Sequence, residues 1–153
     1  MIKKFFFSLS IILVLSLKVF PASGSQLQLE TIGATSASTL YLSYMAIGVV
    51  ADSYQSKVYN KDTAKGFVRE AIAVIGVCKN YMNQLIEKGE MSPNDIKTAK
   101  LIVETYDFLI NEGQNFINYV DTNDSKYVQL FHDFRKKAWN NISNILGLNK
   151  KGQ

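Results

Sequence analysis

Apolar residues recur at Gly33, Ala37, Leu40, Tyr44, Ile47, Ala51, Tyr54 and Val58, in steps of three and four with no proline among them. Only a helix places such positions on one side, and a stripe of this length needs a facing surface along several turns. From residue 29 to 120 Pro93 alone could break a helix. The pattern therefore predicts an all-α chain of long, packed helices.

Three further stripes follow. Ala64, Phe67, Val68, Ala71, Val74, Ile75, Cys78, Met82 and Leu85 oppose Arg69, Gly76, Asn80, Asn83 and Glu87. Asp62 or Thr63 is placed to cap the start of this segment and Gly89 to end it in a left-handed turn. Ser92, Pro93 and Asp95 then give the clearest start signal: an N-cap, a first-turn proline and a charge facing the positive helix end. The third stripe runs through Ala99, Ile102, Tyr106, Leu109, Ile110, Gly113, Phe116, Ile117 and Val120. After the turn at Asp121–Ser125, the fourth takes Tyr127, Phe131, Phe134, Ala138, Ile142 and Ile145, with Gly147 as its cap. The spans read as helices of about 30–58, 63–88, 93–120 and 124–146. Connections this short make consecutive helices antiparallel, so the expected fold is an up-down-up-down antiparallel four-helix bundle over residues 25–148. Residues 149–153 read as a flexible basic tail.

Ahead of the bundle, Lys3 and Lys4 precede an apolar run from Phe5 to Leu17, and Ala22-Ser23-Gly24 has the small-x-small form of a cleavage site. That is the form of a secretory signal peptide over residues 1–24, removed on export to a periplasmic or extracellular location. Its loss changes the electrostatics. Three of the 17 basic residues, Lys3, Lys4 and Lys18, lie in it, leaving 14 against 13 acidic residues. A nearly neutral mature chain gives no electrostatic reason to bind nucleic acid. The remaining local excess, at Arg135, Lys136, Lys137, Lys150 and Lys151, reads as solvated charge near a helix end. The segment Tyr41–Tyr59, broken by Ser43, Asp52, Ser53 and Lys57, does not read as a membrane span, so no stable insertion is expected after cleavage.

No catalytic, cofactor or metal constellation emerges. His132 is the single histidine and Cys78 the single cysteine, so neither has the partners that a zinc, di-iron or haem site needs. Cys78 lies on a core stripe and reads as a small hydrophobe. Glu104, Asp107 and Asn111 share a face with Lys97 and Lys100 and read as ordinary surface ion pairs. The chain is thus read as non-enzymatic.

What stands out is apolar surplus beyond the stripes: Leu101, Phe108 and Tyr119 in the third helix, Val128 and Trp139 in the fourth, and Tyr41, Leu42, Met45, Gly48 and Val49 in the first. Two uses are expected. Tyr41, Met45, Phe108 and Trp139 suit a surface for a protein partner, which could be a second copy of the chain. Alternatively Tyr44, Tyr54 and Tyr106 surround the gap left by Gly113, where a small apolar ligand would fit between helices.

Overall fold

The computed structural model describes residues 23–148, with side chains from residue 26. Among the described residues the chain forms four helices and no strand: α1 (Ser23–Gln55), α2 (Lys61–Glu87), α3 (Pro93–Thr122) and α4 (Ser125–Ile145). The leader expected over residues 1–24 lies outside the described residues apart from Ser23 and Gly24, which belong to α1. The tail expected over residues 149–153 also lies outside them. α1 starts earlier than the stripe at Gly33 required, and by length and composition its Gln26–Gln55 portion could cross a membrane.

Two compact units divide the chain, one ending at Ile32 and one running from Gly33 to Gln153. The described part of the first is the opening of α1, where Gln26 donates to Glu30 and the Thr31 hydroxyl to the Leu27 carbonyl on an exposed helix.

In the second unit α3 is the most buried helix, because side chains from both flanks pack on it. Ala99, Ile102, Tyr106, Leu109, Phe116, Ile117 and Val120 are buried on α3 together with Thr105, Glu112 and Asn115. Thr105 and Asn115 donate to carbonyls of their own helix, which removes most of the cost of burying them. α2 approaches at Gly113. A Cβ there would stand 3.0 Å from Val68 and Ile72. The gap expected to admit a ligand is therefore filled by two aliphatic side chains of α2. Ion pairs border this seam, Lys65 and Lys61 with Asp121 and Lys79 with Asp107. Hydrogen bonds from Lys65 and Lys61 hold the Asp121 carboxyl below its ordinary range.

On the other flank, Phe116 meets Phe131 of α4 at 6.2 Å between ring centroids and Phe108 meets Phe134 at 6.3 Å. Asn141 donates to Glu104 at 3.1 Å. Glu104 and Asp107 thus take partners from α4 and α2, and not the Lys97 and Lys100 pairs that spacing within one helix suggested. α1 buries Leu40 and Ile47 completely and sets Tyr54 edge-on to Phe116 at 5.8 Å.

Three positions read as core are exposed: Phe67, Val74 and Val58. On α2 the buried line is Ala64, Val68, Ile75 and Met82. Phe67 and Val74 each lie one residue before that line, about 100° around the helix, beyond the reach of α3. Val58 falls after the end of α1.

Capping chemistry explains the boundaries. Ser92 accepts from the Asp95 N–H, and Gly89 and Gly147 adopt φ of 70° and 68°. The cap of α2 is Asn60, whose side chain accepts from the Thr63 N–H at 2.9 Å, and not Asp62 or Thr63. α1 closes with Val58 N–H on the Ser53 carbonyl and Lys57 N–H on the Tyr54 carbonyl. This is the Schellman pattern, with Lys57 at φ 60° where glycine is usual. Holding an L-residue there costs roughly 1–2 kcal/mol, and glycine would return part of the gain as unfolded-state entropy. Lys57→Gly is accordingly expected to stabilise the fold by about 0.5–1 kcal/mol, read as a rise in the urea midpoint with unchanged m-value.

Candidate functional site

Three features of the second unit concentrate polar chemistry or uncovered apolar surface. The first is a buried ion pair. Glu112 is fully buried on α3, and Arg135 of α4 donates through Nη1 to Glu112 Oε1 at 2.6 Å and to the Tyr44 carbonyl of α1 at 3.1 Å. The guanidinium carbon lies 3.9 Å from the centre of the Tyr44 ring, which in turn meets Trp139 at 5.3 Å. Gly48 makes the approach possible: a Cβ there would stand 2.8 Å from Cζ of Arg135. One cation thus ties α1, α3 and α4 together. Glu112 Oε2 has no hydrogen-bond partner among the described residues. Burial pushes the Glu112 carboxyl up to about 7 from its ordinary 4.5, and the hydrogen bond and charge of Arg135 oppose the rise. Burial also raises the Tyr44 hydroxyl, with Arg135 acting against it.

The second feature is a partly open cleft of about 740 Å³ where α1 ends, enclosed by the α1–α2 connection, the last turns of α3 and the first turns of α4. Phe116 and Phe131 are its buried aromatic lining, Tyr54 and Tyr119 are half-buried beside them, and Asp52, Lys57 and His132 bring polar groups to it. His132 is exposed, with its ring edge-on to Phe131 at 5.2 Å.

The third is a set of uncovered apolar rows. On α2, Phe67, Val74 and Tyr81 are 46%, 56% and 67% exposed at intervals of seven residues, with Val77 beside them. On α1, Leu42, Met45 and Val49, part of the apolar surplus beyond the stripe, are exposed.

The residues expected to act are distributed among these features and the core. Tyr41 and Met45 lie on or beside the α1 row, both partly exposed. Tyr44 lies under Arg135 with Trp139 against the Tyr44 ring, and Phe108 packs on Phe134. Of Tyr44, Tyr54, Tyr106 and Gly113, Tyr54 alone lines the cleft. Tyr106 is buried with its hydroxyl facing Ser36 and Cys78, and burial pushes that hydroxyl up to about 12. Arg135, read as solvated, turns inward. Glu112 carried no sequence signal beyond lying three residues after Leu109 and four before Phe116, on the buried side of the helix. Among the described residues no group of three metal-ligating side chains comes together.

Compared with protein-family models, with characterised proteins and with solved structures, the chain matches none.

Removing one half of a buried pair strands the other. Arg135→Met is expected to cost about 3–5 kcal/mol above the titration range of Glu112, and Arg135→Met with Glu112→Leu to recover most of it, as a double-mutant cycle in urea will show. A carboxyl with a raised folded-state pKa contributes stability that is complete below about pH 4.5 and lost as pH rises to about 7. Relative to Glu112→Gln, the wild-type protein is expected to lose on the order of 1–3 kcal/mol across that interval, measured as the difference between the two stability–pH curves.

Proposed function

We propose that the mature chain is an exported antiparallel four-helix bundle that acts by binding another protein, and not by catalysis, through the uncovered apolar rows of α1 and α2. The up-down-up-down arrangement is supported by the order of contacts: Lys65 meets Asp121 and Lys79 meets Asp107, while Glu104 meets Asn141 and Glu112 meets Arg135. As one index rises the other falls. Export is supported by the basic, apolar and small-residue order of residues 1–24.

The observation that carries the reading is the row at Phe67, Val74 and Tyr81. Large side chains left bare at intervals of seven residues give one helix a seam that another helix can fill. Arg69, Glu70 and Lys79 interrupt the same helix, so lipid is a poor occupant for that seam. The row on α1 offers a similar surface at Leu42, Met45 and Val49. An aromatic and aliphatic centre within polar surroundings is also the usual composition of an interface core.

A photo-crosslinking residue placed at Val74 or Leu42 in the producing cells is expected to yield a discrete adduct, with a heterologous protein or a second copy, that the same residue at Lys136 does not. Val74→Glu with Tyr81→Glu should abolish the adduct from Leu42 or from an unaltered α2 position such as Val77 while changing stability by less than about 1 kcal/mol. A strictly monomeric protein by light scattering that gives no adduct from either row would overturn the proposal.

A further inference from the structure

We infer that the cleft at the end of α1 binds a flat, uncharged aromatic molecule carrying a hydrogen-bonding group. Its volume of about 740 Å³ falls within the range that encloses most of a small organic ligand. The shape of the ligand follows from the rings. Tyr54, Phe116, Phe131 and His132 form a connected series, with successive centroids 5.8, 6.2 and 5.2 Å apart. These separations lie within the range favoured by aromatic pairs, so a planar ligand ring extends a packing pattern already present. Aliphatic chains would fill the same space without using the ring faces.

The absence of ligand charge follows from the polar groups. Asp52 and Lys57 bring one carboxylate and one ammonium to the cleft, and among the described residues they form no ion pair with each other or with His132. Opposite charges leave little net field to select an ion, and an ionic ligand would lose hydration against the apolar lining. A neutral hydroxyl, amine or amide can meet the Asp52 acceptor or the Lys57 donor at lower cost. Lys57 also keeps a left-handed backbone at this position, and local strain of that kind collects at functional sites. The position differs from the Gly113 gap, which Val68 and Ile72 fill.

N-phenyl-1-naphthylamine, a neutral molecule with a flat naphthalene and a phenyl ring joined through one N–H, is the probe. In the full-length mature protein its fluorescence should rise and saturate at one equivalent, with intermolecular NOEs to Phe116, Val128 and Phe131. Phe131→Ala should weaken binding at least about tenfold. Because that change opens the core, Val128→Glu provides a second arm: it places a carboxylate in the half-buried wall and should weaken binding by a similar factor in a protein whose circular dichroism is unchanged. Val74→Glu with Tyr81→Glu, on α2 away from the cleft lining, should leave affinity within about twofold. Binding that does not saturate, or that is lost in the α2 variant and kept in Val128→Glu, would overturn the inference while leaving the partner-binding proposal standing.

Discussion

The contact between Arg135 and Glu112 holds the second unit together in a way that apolar packing alone does not. Leu40 and Ile47 give α1 a hydrophobic reason to sit on the bundle, but such burial is tolerant of small shifts and rotations. A guanidinium that must reach a buried carboxylate, a particular carbonyl and the face of one ring has few acceptable positions. A buried pair adds little net stability over an apolar replacement, and the contacts of Arg135 narrow the arrangements of α1, α3 and α4 that satisfy it. Gly48 belongs to the same constraint, since the guanidinium occupies the space its side chain would need.

α1 thus lies against α3 and α4, while α2 meets α3 along its own buried line of Ala64, Val68, Ile75 and Met82. Phe67, Val74 and Tyr81 on α2 remain outside the core, as do Leu42, Met45 and Val49 on α1. Helix-forming sequence with more apolar surface than its neighbours can cover is destabilising in solubility terms unless something else covers it. The bare rows are therefore a property of how the helices are distributed around α3, and not of unusual composition in any one helix.

The end of α1 has a different character. There the helix stops through a left-handed lysine, the chain turns toward α2, and the aromatic side chains of three helices come together without filling the space between them. Cap chemistry and site geometry are linked at this point, because the Schellman closure at Lys57 directs the connection that encloses one side of the cleft. A shift of α1 along its axis would alter both the closure and the distance between Tyr54 and Phe116.

Periodicity, Pro93, Gly89, Ser92 and Gly147 were enough to predict four helices and most of their ends, because helix formation and capping depend on residues close in sequence. The same local rules placed Leu40, Ile47, Val68, Ile75, Ile102 and Leu109 in the core. They do not tell which part of a wide stripe meets a neighbour, so they place Phe67 and Val74 in the core although the folded chain leaves both exposed. Nor could they show that Gly113 receives α2, or that Tyr54 meets Phe116 while the Tyr106 hydroxyl faces Ser36 and Cys78 elsewhere along α3. Arg135 looked like surface charge because its partner lies 23 residues away on another helix. Local propensity is decided by neighbours in the chain. Burial, ion pairing and cavity shape are decided by neighbours in space, and only the packed helices supply those.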